Sequence, residues 1–295
     1  MDYSIVIPVY NSSQTLPVLA SELDVTLKSL NQQYEIIYVD DDSIDESWEV
    51  LKNINRQYTL HRIFRLAKNT GQWMATLAGI SMCRGKYIIT IDDDMEYDTN
   101  DILQLIADFH QKNALIVYGI PEEKKNKNIY YRIFFTIRDR FLRLFFQKIK
   151  TESFKIFDRN IYLNAQSEMQ SFLHFEAYTK FTVSPNRIYY SAVNYRKRLH
   201  GKSNYTLFKK IKMIFNYGIE FYKSPLNKIL SVILLCCLPL FLLKNLALLP
   251  TLQIILLFVV FFLAMLWLVI LGRYVAELFF KAKGVPPFII VESFD

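Results

Sequence analysis

Short apolar runs alternate with helix-spaced segments along the first 120 residues. "YSIVIPVY" (Tyr3–Tyr10), "YEIIYVDDD" (Tyr34–Asp42), "LHRIFRL" (Leu60–Leu66), "KYIITI" (Lys86–Ile91) and "ALIVY" (Ala114–Tyr118) read as strands. Between them, residues 15–30, 43–56, 71–83 and 101–111 read as helices. Leu16, Leu19, Leu23 and Leu27 lie on one helical stripe, and Ser43 with Glu46 fits a capping box. Strands that alternate with helices imply a mostly parallel sheet covered on both faces, an α/β architecture. In such sheets ligands bind beyond the carboxyl ends of the strands.

That rim is where the acids are. "TIDDDMEYD" (Thr90–Asp98) packs five carboxylates into nine residues of a chain whose net charge is +7. Asp92, Asp93 and Asp94 follow the fourth strand, and Asp40, Asp41 and Asp42 end the second. Like charges this close raise each other's pKa unless a cation sits among them. The first strand runs into "PVYNSSQT", which is neither GxGxxG nor a P-loop. Glycine amides are therefore not the expected phosphate cradle, and a divalent cation held by carboxylates is. The four histidines show no HExxH spacing and the three cysteines no CxxC. Oxygen ligands favour magnesium or manganese over zinc. Asp40 or Asp41 is suited to accept hydrogen bonds from a nucleobase or ribose.

The C-terminal end is apolar. Ile229–Leu249 is almost wholly apolar, interrupted by Pro239, Lys244 and Asn245, and Leu252–Gly272 holds no charge. Each run matches the roughly 20 residues that a helix needs to cross a bilayer. Together they read as a two-helix hairpin turning near Lys244–Thr251. Lys223 and Lys228 precede it and Arg273, Lys281 and Lys283 follow, which puts both outer flanks in the cytoplasm. The opening "MDYSIV" is no signal peptide, so the N-terminal domain is expected there too. Residues 129–149 and 205–222 are basic amphipathic segments. The first suits a membrane surface or the domain's own core, and the second is expected to lie on the surface.

The motifs "IVIPVYN", "VDDDSIDES", "NTGQWMATLAGI", "TIDDDMEYD" and "RKRLHGKSNY", with the apolar hairpin and the closing "GRYVAELFFKAKGVPPFIIVES", resemble the GT-A family 2 glycosyltransferases. Within these the likeness is to the polyisoprenyl-phosphate glycosyltransferases, which include dolichol-phosphate mannose synthases and bacterial GtrB-like enzymes. The resemblance implies a GT-A (Rossmann-like) core over residues 1–125 and an acceptor-side segment over 126–225. Transmembrane helices over 226–272 and a cytoplasmic tail over 273–295 complete the expected division.

By the same likeness, Pro8, Tyr10 and Asn11 line the base and ribose pocket and Asp41 contacts the base. Asp92 and Asp94 are the DxD positions flanking Asp93, with Asp94 the metal ligand beside the donor diphosphate. Asn69, Gly71 and Gln72 lie near the donor. Arg198, Lys202 and Ser203 fall on a loop that closes over the phosphates, and Arg196 is a further cation of the same basic run expected to bind substrate. The chain departs from the family in having Asp42-Ser43 where "DGS" is frequent and "DDDME" where "DADLQ" is. It also lacks an aspartate just before "ESFKIFDRN", where Glu152 is the nearest spare carboxylate.

The implied function is inverting transfer of a sugar from a nucleotide diphosphate sugar to a polyprenyl phosphate at the inner membrane. UDP is the first choice of nucleotide, with dTDP and GDP open. Magnesium or manganese is the cofactor, no nucleic-acid partner is expected, and the bacterial relatives imply a homo-oligomer. A processive polysaccharide synthase is a rival, although this chain has no QxxRW motif and fewer spans. A noncatalytic membrane scaffold of the same fold is another.

Overall fold

The computed structural model describes residues 1–121, 152–164, 179, 182–194, 196, seven helical positions between 258 and 275, and 288–295. The amphipathic segments, the first apolar run, Arg198, Lys202 and Ser203 lie outside the described residues. The chain divides into two compact units, one of residues 1–211 and 287–295 and one of residues 212–286.

The first unit is built on one sheet. Its strands are β1 (Tyr3–Val9), β2 (Tyr34–Asp40), β3 (His61–Leu66), β4 (Tyr87–Thr90), β5 (Ile116–Pro121), β6 (Lys155–Asp158), β7 (Ile188–Val193) and β8 (Ile290–Phe294). Their order is β7-β5-β6-β4-β1-β2-β3-β8. β1, β2, β3 and β4 are parallel, as are β5 and β7, while β6 and β8 run antiparallel to their neighbours. The helices are α1 (Leu16–Lys28), α2 (Ser47–Gln57), α3 (Gln72–Ser81), α4 (Asp101–Gln111) and the short α5 (Arg159–Leu163).

All five expected strands form, and the alternating pattern gives the mostly parallel sheet. Three more strands, β6, β7 and β8, come from stretches whose sequence did not mark them. β6 has only four residues and β8 closes what reads as a tail. Each is extended because it completes a ladder with strands distant in sequence, β6 between β4 and β5 and the other two at the sheet's edges, which no local pattern encodes.

Period-two alternation divides the core. Ile5, Ile7 and Val9 pack with Leu16, Leu19, Leu23 and Leu27 of α1 on one face, as the stripe predicts. Val6, Ile37, Val39 and Phe64 pack with Ala75, Ala78 and Ile80 of α3 on the other. The expected capping box is absent. α2 begins at Ser47, whose N–H is accepted by Asp45 Oδ1 at 3.0 Å, while Ser43 Oγ accepts the N–H of Asn11 at 3.0 Å. Asp42 takes φ +58 and turns the chain, which moves the helix start four residues on.

In the second unit, Phe258, Phe261, Phe262, Met265, Leu268, Gly272 and Val275 have helical backbone. Their large apolar side chains are 46% to 70% exposed. Among the described residues no helix is long and apolar enough to cross a membrane.

α3 sits close on the sheet because Gly79 has no side chain. A Cβ there would lie 2.5 Å from Val6 Cγ1 and 3.1 Å from Val39 Cγ2. Gly79→Ala is expected to destabilise the first unit by about 1–3 kcal/mol through overpacking. Val6→Ala in the same chain should return part of that loss, as read by the midpoint of chemical denaturation.

Candidate active site

The parallel strands deliver four turns to one rim, and carboxylates lace them together. The turn after β1 carries Tyr10, 38% exposed, and Asn11 at φ +54. Asp93 Oδ2, from the turn after β4, accepts the N–H of Tyr10 at 3.1 Å and the hydroxyl of Ser12 at 2.6 Å. Asn11 Oδ1 accepts the N–H of Ile44 at 2.9 Å, which ties the β1 and β2 turns. Asn11, Asp42 and Met95 all have left-handed φ, at 54°, 58° and 58°. Such strain collects where surrounding bonds over-determine a turn, as they do on this rim.

Asp41 joins the β2 turn to the β3–α3 loop. Its Oδ1 accepts the N–H of Thr70 at 2.7 Å and the Thr70 hydroxyl at 2.9 Å, and its Oδ2 accepts the N–H of Gly71 at 2.8 Å. Gly71 has φ +92 and ψ 155, a region that only glycine enters freely, and caps the start of α3. Burial pushes the Asp41 carboxyl up while the three donors oppose that push. Asp40 is fully buried, pairs with Arg65 Nε at 3.3 Å and accepts the N–H of Ser43 at 3.3 Å. Two carboxylates read as base contacts are thus engaged inside the protein, in shaping the turns. Pro8 lies within β1, opposite Val39.

Asp92 is held from two sides. Gln72 Nε2 donates to its Oδ1 at 2.6 Å and Ser153 Oγ to its Oδ2 at 2.5 Å. Ser153 is there because β6 runs antiparallel and so enters the sheet at the rim where β4 leaves it. The adjacent Glu152 accepts the Tyr97 hydroxyl at 3.1 Å. Sequence reasoning placed Gln72 near the donor and missed Ser153 and Ser12, whose only signal is the antiparallel strand and the turn themselves. Asp94 Oδ1 accepts the N–H of Glu96 at 3.1 Å.

Burial, aided by the charge of Asp94, raises Asp92 to about 6, against the pull of Ser153 and Gln72. Burial, with Asp92 and Asp94 beside it, raises Asp93 to about 7 despite the bonds from Ser12 and Tyr10. Crowded oxygen acids of this kind fit a hard divalent cation, because its charge removes the repulsion. Each Asp92 oxygen keeps a second lone pair beyond the hydrogen bond named for it. Among the described residues no three His, Cys, Asp or Glu side chains form a metal cage.

Arg196, at the start of the expected phosphate loop, is engaged by acids of the first unit. Its guanidinium bonds Glu22 of α1 at 3.0 and 3.2 Å and Asp98 at 2.6 Å, and its N–H donates to Glu96 O at 2.7 Å. It anchors the start of that loop to the end of the acidic motif. Asp98 is held below the usual carboxylate range by the Asn100 N–H and by Arg196, which outweigh its partial burial.

Two outcomes follow from this geometry. Asp41→Asn turns one oxygen into an N–H donor facing other donors, and should cost about 1–3 kcal/mol of stability, read by denaturation. The second outcome concerns pH. Asp92 and Asp93 have folded values above that of an unfolded aspartate. Without metal, their contribution to stability is full at low pH and is lost as pH rises through about 6 to 7. A divalent cation needs the deprotonated forms. The rise in melting temperature on adding magnesium or manganese should be present at pH 8 and fade as pH drops through 7 and 6.

Similarity to known proteins fits this site. The glycosyl transferase family 2 profile matches residues 4–164. A 105-residue stretch is 40% identical to undecaprenyl-phosphate 4-deoxy-4-formamido-L-arabinose transferase of Pseudomonas savastanoi pv. phaseolicola, covering 35% of this chain and 31% of that protein. Dodecaprenyl-phosphate galacturonate synthase of Rhizobium johnstonii is 27% identical over 221 residues, 72% of this chain and 64% of that one. The chain spans less than two thirds of the length of either relative. In fold it is similar to glucosyl-3-phosphoglycerate synthase from Mycobacterium tuberculosis, solved with Mn2+, uridine-diphosphate and glucosyl-3-phosphoglycerate. The TM-score is 0.54 at 13% identity, over 76% of this chain and 81% of that one. With a matching profile over more than half its length and acids on the rim of a GT-A-like sheet, the chain belongs to glycosyl transferase family 2.

Proposed function

We propose that this protein transfers a sugar from a nucleotide diphosphate sugar to a polyprenyl phosphate, with inversion, on the cytoplasmic face of a membrane. The observation that carries the reading is the gathering of acids on one rim, where Asp93 holds the turn of Tyr10–Ser12, Asp92 accepts from Gln72 at the start of α3, and Asp41 holds Thr70 and Gly71. Two similar proteins whose names differ in the sugar both carry a polyprenyl phosphate in their names, which supports the acceptor class. The exposed side chains of Phe258, Phe261, Phe262, Met265 and Leu268, at positions with helical backbone, support a lipid setting and the expected membrane hairpin.

The donor lies across the rim, with its nucleoside toward Tyr10 and Asn11 and its diphosphate toward Asp92 and Asp94. A magnesium or manganese ion held by Asp94 and Asp92 would neutralise the diphosphate as it departs. An oxygen of the acceptor phosphate forms the new bond to the anomeric carbon, and the nucleoside diphosphate leaves with the electron pair of the old one. The second pKa of a phosphate monoester is about 6, so the attacking dianion is already present at neutral pH and needs no carboxylate base. Arg198, Lys202 and Ser203 are assigned to the approaching phosphates. Arg196 fixes their loop through Glu22 and Asp98. UDP is the first nucleotide to test.

Membranes holding the protein, given labelled nucleotide sugars and then extracted with solvent, should yield a labelled lipid. A labelled polymer would point to a synthase instead, and no label to a scaffold. Asp94→Asn should keep the fold and lower transfer by roughly a hundredfold or more, the loss expected when several kcal/mol of charge stabilisation is removed. Full activity in EDTA would overturn the metal assignment. A cysteine placed near Lys244 should react with an impermeant reagent from outside the cell only if the apolar runs form a spanning hairpin.

A further inference from the structure

The eighth strand does more than fill an edge. β8 lies beside β3, with Arg65 opposite Glu292 and Leu66 opposite Ile290, so Val291 is an extra, bulged residue. The bulge aims Glu292 at a cluster under the β2 turn. Trp48 Nε1–H donates to Glu292 Oε2 at 3.3 Å, and Arg65 Nη1 lies 3.7 Å from Glu292 Oε1. The guanidinium of Arg65 stands over the Trp48 ring, 5.7 Å from its centroid. From that seat it reaches Asp40 Oδ2 with Nε at 3.3 Å and Asp42 Oδ1 with Nη2 at 3.7 Å.

Asp40–Asp42 is the turn whose middle residue, Asp41, holds Thr70 and Gly71. A chain of contacts therefore runs from Glu292 through Arg65 to the rim. A second tether secures the far end of the strand. Arg62 bonds Asp295 at 2.6 Å and the buried Glu35 at 2.8 Å, and Arg84 reaches Asp295 at 3.3 Å. The Phe294 ring lies tilted against Trp48, with centroids 6.1 Å apart.

We propose that β8 is a positioning element of the donor site and that Glu292 is its positioning residue, acting through Arg65 on the Asp40–Asp42 turn. The proposal rests on the donor reading above. It adds that this site is complete only when residues 290–294 have docked. In chain order these come after the whole second unit, residues 212–286. A chain whose apolar segment has not yet been followed by its last strand holds the acidic motifs but lacks the clamp on Arg65. Glu292 is not placed among the reacting atoms, so its removal should change donor affinity and leave the chemical step alone.

The test uses the full chain in detergent, as wild type, Glu292→Gln and Glu292→Ala. Gln keeps an acceptor for Trp48 and loses the charge facing Arg65. Without ligand, amide hydrogen exchange at residues 40–44 and 70–71 should speed up in both variants, while residues 4–8 of β1 stay protected. UDP, dTDP and GDP are then titrated with magnesium. The nucleotide that wild type binds should bind Glu292→Gln about threefold to fivefold more weakly, as expected for a partly exposed charge pair. Donor KM should rise by a similar factor with kcat at saturation unchanged. Unaltered exchange at 40–44 overturns the inference whatever the ligand. Faster exchange with unaltered affinity overturns the link to the donor. A wild type that binds none of the nucleotides overturns the donor reading itself, and the positioning role with it.

Discussion

The bonds that Asp93 accepts from the Tyr10 N–H and the Ser12 hydroxyl set the distance between the ends of β1 and β4. Parallel strands end in loops whose backbone donors have no ladder partner, and a buried donor left unpaired costs more than a bond gains. A carboxylate reaching from the next strand satisfies several donors at once. Asp41 does the same for Thr70 and Gly71, and Asp45 for Ser13 and Ser47. The rim is therefore rigid before any ligand arrives, and the α3 start, the β1 turn and the acidic motif keep a fixed relation.

That rigidity explains why so many acids crowd a basic chain. They do not share one task. Asp40, Asp41 and Asp93 hold turns, Asp98 anchors Arg196, and Asp92 and Asp94 are the two proposed to meet a cation. Packing them together raises Asp92 and Asp93, which is tolerable because the neighbouring hydroxyls and amides donate to them. The same crowding makes a bound divalent cation more favourable than it would be at isolated acids. The array thus combines structural acceptors with the proposed ion site on one rim of the sheet.

The strand direction decides what reaches the site from elsewhere. β6 and β8 run opposite to their neighbours, so each starts at the rim rather than ending there. β6 thereby brings Ser153 to Asp92, and β8 brings Glu292 to Arg65. A parallel strand in either place would put its first residues at the far end of the sheet. The first unit is also discontinuous in sequence, because its last strand follows the second unit.

The sequence by itself determined the alternating core, the stripe of Leu16, Leu19, Leu23 and Leu27, the strands of the first 121 residues and the acids on their rim. These depend on residue period and on what directly follows each strand, which are local properties. It also carried the family, through short motifs kept in order. It could not mark β6, β7 and β8, nor the true start of α2, nor that Asp40, Asp41 and Arg196 are engaged within the protein. Those outcomes belong to the tertiary structure. A four- or five-residue strand forms only when a distant edge offers it a ladder, and a charged side chain is turned inward only when its partner, remote in sequence, is brought alongside it.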